Sequence, residues 1–367
     1  MSAAPTSAAL AALRDRLATV YDLNKSASVL EWDQETYMPE GAAEARAYRL
    51  ATLRRLSHEH FTADETGDLL DTTGTETADL DPHDPDRALV RVAQRDYDRA
   101  TQLPAQLVSD FATATARAKQ AWQAARADDD FARFAPHLQT VIDLSIEKAD
   151  AMGAASPAAR YDVLLDEYEP GMTADVVARE FADLRTGLVP LVEAIADAPQ
   201  VDAAFLHAQT DEEVFDEAVQ WAFGLEVAQA FGYDLHHGRQ DRSAHPFSTT
   251  LAIDDVRITT RIDPRFFPSG FFGTLHETGH ALYERGVSPT LARSPLASGT
   301  SLGMHESQSR LWENQVGRSR SFWQHWYPKL QAAFPGRFDA VPLDAFYRAI
   351  NQVAPSFIRV EADEVTY

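Results

Sequence analysis

The segment that most constrains this chain is residues 276–280, which read H-E-x-x-H within a stretch of helix-forming residues. Each residue of an α-helix turns the chain by about 100°, so His276 and His280 lie one turn apart on the same face. They can bind one metal ion together, and Glu277 beside them can reach a water molecule on that metal. Zinc hydrolases use this arrangement of two imidazoles and a carboxylate general base. The alternative is a helix that carries two surface histidines.

A catalytic zinc ion usually takes a third protein ligand and keeps one position for water. Glu306 is the better candidate, because it lies on a second helical segment that follows a loop rich in turn residues. His305 is a rival ligand, but it lies about 100° around that helix, so only one of the two can face the metal. Glu284 follows His280 by four residues and would have to bend back along the helix axis. A surface role or a supporting role is therefore expected for Glu284.

Other motifs follow in a fixed order along the chain. They are W-D-Q-E-T at 32–36, H-P-F at 245–247, D-V-R-I-T at 255–259, H-E-S at 305–307 and I-R-V-E-A-D at 358–363. With the H-E-x-x-H segment, they make the chain resemble the carboxypeptidase Taq (thermostable carboxypeptidase) family of zinc metallocarboxypeptidases. The resemblance covers nearly the whole chain. It implies a mostly helical homodimer that releases single residues from peptide C-termini with broad specificity.

The resemblance also implies roles for individual residues. His276, His280 and Glu306 would be the ligands of Zn²⁺, which Co²⁺ could replace, and Glu277 would be the general base. By itself, the sequence supports the same chemistry, because zinc lowers the pKa of a bound water and a carboxylate can carry its proton to the leaving amine.

Three further residues are implied to bind substrate. Arg359 would recognise the C-terminal carboxylate of the peptide, while His245 and Arg257 would line or close the groove. A planar guanidinium suits this role because it makes bidentate bonds to a carboxylate. On the residues alone, the alternative for each arginine is an ion pair with an acidic neighbour. For His245 the alternative is a turn residue that bonds the backbone.

The chain is shorter than the family pattern, because chains of the family continue well past Tyr367. The missing segment is expected to hold further walls of the groove and, by family analogy, a tyrosine near the scissile carbonyl. Because of the missing segment, a truncated, catalytically inactive metal-binding fold stays open as an alternative. Within the same class of hydrolase, a second alternative is a zinc oligopeptidase that cleaves internal bonds.

The periodicity of apolar residues predicts an all-α fold, formed by residues 1–367 as a single domain. The resemblance implies that this is a zincin-like helical groove fold. The exception is residues 247–262, where alternating side chains predict a small β-hairpin with its turn at 254–255. Such a hairpin beside the zinc helix would offer an edge to an extended substrate. The acidic tract 64–86, rich in glycine and proline, is expected to be a surface connection.

The composition excludes some classes of partner. The formal net charge is -23, which disfavours nucleic acid and anionic membrane surfaces as partners. The chain has no cysteine, which excludes disulfides and thiolate ligands. Neither a signal-like N-terminus nor a long apolar run is found, so the predicted location is the cytoplasm.

Overall fold

The computed structural model describes residues 7–353, which are predominantly α-helical with one small sheet. The helices are α1 Ala8–Thr36, α2 Ala43–Phe61, α3 Asp64–Thr77, α4 Pro85–Gln102, α5 Ala105–Ala127, α6 Phe131–Ala151, α7 Arg160–Leu165, α8 Ala174–Ala196, α9 Glu217–Ala230, α10 Phe267–Arg285, α11 Leu302–Arg310, α12 Arg320–Ala333 and α13 Leu343–Ile350. A π-helical segment, Leu311–Val316, continues α11. The predicted fold class is confirmed.

The described residues form two compact units. One contains residues 7–13 and 58–184, and the other contains residues 14–57 and 185–353. The prediction that residues 1–367 act as a single domain stays a prediction. In the part of the chain that the structure describes, no helix combines the length and the apolar character needed to cross a membrane.

In the first unit, the acidic tract does not form the expected surface connection. Most of it is helix α3, which buries Thr66, Leu70, Thr73 and Thr77 against α4. These residues recur at spacings of four and three, so they line one face of the helix. The hydroxyl of Thr73 donates to the carbonyl of Leu69 at 2.7 Å, so a buried threonine needs no solvent. The prediction failed because a threonine-rich face lacks the apolar periodicity that signals a helix.

The second unit has an aromatic core on one side of α10. Phe267, Phe271 and Leu275 of α10 are almost fully buried in it, together with Trp323 of α12 and Phe346 of α13. The ring centroids of Phe271 and Trp323 are 5.4 Å apart. Burial of large rings on this scale fixes the position of α10 in the unit.

The sheet of the second unit has three strands: β1 Gln240–Arg242, β2 Ser248–Ala252 and β3 Asp255–Thr260. The predicted hairpin forms, with β2 antiparallel to β3 and Thr249 opposite Arg257. Its turn is at 253–254, one residue before the predicted 254–255, because Asp255 already pairs with Ala252. β1, which the sequence did not predict, pairs with β3 in parallel, so β3 is the central strand. Three residues are too few to show a periodic pattern.

Candidate metal centre

Helix α10 is packed on three sides, which explains why so much of it is buried. Phe271 and Leu275 face the aromatic core, and Ala281 packs with Val256 and Ile258 of β3. The side that carries His276 and His280 meets α11. Both histidines therefore lie on a side of α10 that another helix covers.

A glycine allows α11 to lie close to α10. A Cβ atom added at Gly279 would lie 2.6 Å from the carbonyl oxygen of Gln308 and 2.6 Å from the Cα of Ser309. Both obstacles are backbone atoms, so a larger residue could not be accommodated by a change of side-chain rotamer. The contact brings the backbone of α11 against the histidine face of α10, just beyond Glu306 along the chain.

Three ligand atoms converge between the two helices. The Nε2 atoms of His276 and His280 are 3.2 Å apart, and the Oε2 atom of Glu306 lies 3.7 Å and 3.4 Å from them. Metal–ligand bonds of about 2.0–2.1 Å at tetrahedral angles put ligand atoms about 3.3 Å apart. The three side chains therefore fit one zinc-sized cation, and they are the one group of three possible ligands found among the described residues.

The imidazole of His276 is oriented by a residue that the sequence reasoning missed. Its Nδ1 lies 2.9 Å from Oε2 of Glu313 in the π-helical segment. An ionised carboxylate can only accept, so Nδ1 carries the proton and Nε2 presents its lone pair to the centre. Arg310 contacts both acids, with one nitrogen 2.8 Å from Glu313 and another 3.1 Å from Glu306.

The charges around the centre shift the pKa values of its groups. Burial raises the pKa of Glu306, but the hydrogen bond with His280 and the charges of His276 and Arg310 outweigh it, so the pKa falls to about 2. Burial lowers the pKa of His276, yet the hydrogen bond to Glu313 and the surrounding carboxylates leave it above its usual value. For His280, burial dominates and the pKa is lowered.

Glu277, the acid of the H-E-x-x-H motif, is buried. The residue is 6% exposed, and burial raises the pKa of its carboxyl to about 7. Its Oε2 has no hydrogen-bond partner within residues 7–353, and neither has Nδ1 of His280. A buried carboxylate oxygen without a partner costs free energy, so its retention indicates a function.

His305 and Glu284 form a supporting pair instead of ligating. The Nε2 of His305 lies 2.9 Å from Oε1 of Glu284, which also accepts from the backbone N–H of Gly299 at 3.1 Å. Glu284 is buried, so its role is not on the surface but in holding the loop before α11. The ring of His305 packs against that of His280, with centroids 4.4 Å apart.

Arg257 makes the ion pair that was the alternative to substrate binding. Its Nε and one terminal nitrogen each lie 2.8 Å from an oxygen of Asp255, and the guanidinium lies 4.4 Å from the ring centroid of Trp32. Its neighbours Val256 and Ile258 point to α10, so strand alternation turns Arg257 to the opposite face of the sheet.

The other two predicted substrate-binding residues have different outcomes. His245 is exposed in the turn between β1 and β2, where its carbonyl oxygen accepts from the hydroxyl of Ser243 at 2.7 Å. Arg359 lies outside the described residues. Substrate binding by Arg257, His245 and Arg359 stays a prediction.

The sequence pattern of the carboxypeptidase Taq (M32) metallopeptidase family matches residues 12–367. The chain belongs to this family. The predicted family is thus confirmed, and the M32 pattern extends on both sides of the metal centre described above.

Named relatives place the chain within the M32 family. It is 42% identical over 344 residues to Thermostable carboxypeptidase 1 of Thermus thermophilus, a match that covers 92% of the chain and 66% of the relative. It is 35% identical over 354 residues to Carboxypeptidase 1 of Bacillus subtilis, covering 96% and 69%. The chain therefore spans about two thirds of the length of these relatives.

Solved structures show the same fold. The crystal structure of the M32 carboxypeptidase from Deinococcus radiodurans R1 aligns with a TM-score of 0.91 at 39% identity. The alignment covers 98% of this chain and 71% of the other. The helical M32 fold is therefore present across the described residues.

The sequence carries a signal for Arg310 and Glu313, the two residues of the centre that were not predicted. Glu306, Arg310 and Glu313 are spaced by four and three residues, so a helix presents them on one face. An acid–base–acid series of this kind usually marks a solvated surface. Only the packing of α11 on α10 shows that this face is buried.

Proposed function

We propose that the chain is a zinc-dependent metallocarboxypeptidase that releases single C-terminal amino acids from peptides with broad specificity. The observation that carries the proposal is the convergence of His276, His280 and Glu306, with ligand atoms 3.2–3.7 Å apart. Membership of a metallopeptidase family whose named relatives are carboxypeptidases supports the same reaction.

The three residues would hold the metal between α10 and α11, where their side chains are 13–17% exposed. When bound there, Zn²⁺ would polarise the scissile carbonyl and make a water molecule acidic enough to attack near neutral pH. Both histidines offer Nε2 as a neutral donor, and Glu306 offers one carboxylate oxygen. Co²⁺ is expected to fit the same donor set.

Glu277 would carry the proton of the reaction. Its Oε2 is buried without a partner among the described residues and is therefore free to accept a proton from the attacking water. The same oxygen would then deliver that proton to the amine that leaves. Glu277 directly follows the ligand His276 in α10, which keeps its carboxylate near the metal centre.

The remaining features follow from the sequence. We propose that Arg359 binds the substrate's C-terminal carboxylate, with His245 and Arg257 near the peptide. Arg257 would have to share or leave Asp255 to do so. A homodimer and a cytoplasmic location, both implied by the sequence, complete the proposal. Light scattering of the purified chain measures the first of these.

The test combines metal analysis with mass spectrometry of a peptide mixture. The proposal expects about one zinc per chain and stepwise loss of C-terminal residues that disappears in Glu277→Gln, a change that preserves shape and removes the base. Peptides with an amidated C-terminus should resist cleavage. Internal cleavage of the amidated peptides would indicate the oligopeptidase instead. Stoichiometric zinc without any cleavage would indicate the inactive metal-binding fold.

A further inference from the structure

Three charged side chains form a network that begins at the ligand carboxylate of Glu306 and continues into the protein interior. Glu306 and Arg310 lie on α11, and Glu313 lies in the π-helical segment that follows. Arg310 and Glu313 are each 8% exposed. Charges this far from solvent are stable only when they are paired and hydrogen-bonded, so the geometry of the network is strongly constrained.

Glu313 contacts Nδ1 of His276, the ring nitrogen that is not directed at the other two ligands. Its Oε2 accepts from Nδ1 of His276 at 2.9 Å and from Arg310 at 2.8 Å, while Arg318 approaches its other oxygen at 3.6 Å. With Nδ1 committed to this bond, rotation of the ring would break a buried charge-assisted hydrogen bond. The Nε2 of His276 is therefore aimed at His280 and Glu306 before any metal arrives.

Arg310 binds only one of the two carboxylate oxygens of Glu306. Two of its nitrogens, Nε and one terminal nitrogen, lie 3.1 Å from Oε1 of Glu306. The other oxygen, Oε2, faces the imidazoles at 3.4 Å and 3.7 Å. The guanidinium thus occupies one oxygen and leaves a single oxygen for the centre, and it joins Glu306 to Glu313 in one frame.

The π-helical turn is packed tightly against α10. A Cβ atom added at Gly317, the residue after the turn, would lie 2.6 Å from the carbonyl oxygen of Glu313 and 2.6 Å from Cδ2 of Leu275. Leu275 directly precedes His276 in α10. π-Turns are rare and recur at functional sites, and this one fixes the backbone of Glu313 beside the histidine that it orients.

We propose that Glu313 is a positioning residue of the metal centre and that Arg310 couples it to the ligand carboxylate of Glu306. The inference rests on the proposed function, since it assigns the network to the same metal. Mutation of a carboxylate that orients a ligand histidine typically lowers metal affinity by about 10-fold to 100-fold. Glu313 is not one of the three residues that converge on the centre, so its effect would be exerted through His276.

The test is a titration of the metal-free protein with Co²⁺, followed by the visible absorption of the bound ion. The variants are Glu313→Ala, which removes the acceptor, and Glu313→Gln, which keeps its shape and one acceptor oxygen. Glu212→Gln, at an exposed position, is the matched control for the loss of one charge. Circular dichroism and the thermal midpoint of each metal-free variant report on folding.

We expect the Kd for Co²⁺ to rise about 100-fold in Glu313→Ala and about 10-fold in Glu313→Gln, with an altered absorption spectrum in both. Glu212→Gln should match the wild type. If Glu313→Ala fails to fold, Glu313→Gln decides alone. A Kd within about two-fold of the control, with an unchanged spectrum, would overturn the inference.

A separate variant distinguishes failure of this inference from failure of the proposed function. His280→Ala removes a ligand and should abolish stoichiometric Co²⁺ binding. If the wild type binds Co²⁺ and His280→Ala does not, unchanged Glu313 variants refute the positioning role only. If the wild type binds no Co²⁺, or if His280→Ala binds as tightly, both proposals fail.

Discussion

Substitution of alanine for Gly279 tests whether close helix contact builds the metal centre. The added Cβ would lie 2.6 Å from two backbone atoms of α11, whereas ordinary contact begins at 3.4 Å. The two helices must therefore separate locally by about 0.8 Å. A shift of that size would carry Oε2 of Glu306 from 3.4 Å to as much as about 4.2 Å from Nε2 of His280, well beyond the roughly 3.3 Å that tetrahedral binding of one zinc-sized ion requires.

Gly279→Ala changes the free energy of unfolding in two opposite directions, so a control variant is needed. Replacing a helical glycine by alanine stabilises the helix by about 1 kcal/mol, while overpacking costs about 1–3 kcal/mol. Gly273 lies in the same helix and has no atom within 4 Å of its added Cβ. Gly273→Ala should therefore show the helix gain alone, and Gly279→Ala should be less stable than it by about 1–3 kcal/mol.

The assay is urea unfolding of the two metal-free variants beside the wild type, followed by Co²⁺ titration of each. Gly279→Ala should bind Co²⁺ at least about tenfold more weakly, while Gly273→Ala should bind like the wild type. Equal stability of the two variants together with equal Co²⁺ affinity would show that helix separation does not control the centre.

Two further predictions concern the loop at residues 243–247 and the pH dependence of metal binding. Thr259 is fully buried, and its hydroxyl bonds the hydroxyl of Ser243 and the backbone N–H of Phe247, at 2.7 Å and 2.9 Å. Thr259→Val should lower the unfolding free energy by about 1–3 kcal/mol and speed proteolysis of this loop, and unchanged proteolysis would contradict that. Metal binds only neutral imidazole, and Glu313 holds the pKa of His276 above its usual value in the metal-free protein. Co²⁺ affinity should therefore fall with acidification already near neutral pH, and in Glu313→Ala the fall should begin at lower pH. Identical pH profiles in the two proteins would contradict the assignment.

The local parts of the centre could be predicted because they depend on helix geometry. The spacing of His276 and His280 fixes their common face in any α-helix. The turn-rich loop before α11 and the helical character of its residues indicated that Glu306 could return to that face. The hairpin at 247–262 followed from its alternation for the same reason, since its period is set by the backbone.

The burial of a helix face could not be predicted where that face is formed by polar residues. Thr66 and Thr73 line the buried face of a helix, and their hydroxyls donate hydrogen bonds to backbone carbonyls. Because these residues are polar, the sequence shows no periodic pattern of apolar residues on this face. Arg310 and Glu313 read as a solvated helix face until α10 covers them. In each case the sequence gives the residue types, and the neighbouring helix determines whether they meet water.

What the sequence determined by itself is the family, the helical class and the face that carries the H-E-x-x-H histidines, because these depend on residue order and on a period of 3.6 residues. The tertiary structure decided the distances: how closely α11 approaches Gly279, which oxygen of Glu306 faces the imidazoles, and that Glu313 is the residue behind His276. Those choices arise from contacts between segments about 30 residues apart, and the strength of such contacts depends on packing and exclusion of water, which local patterns do not encode.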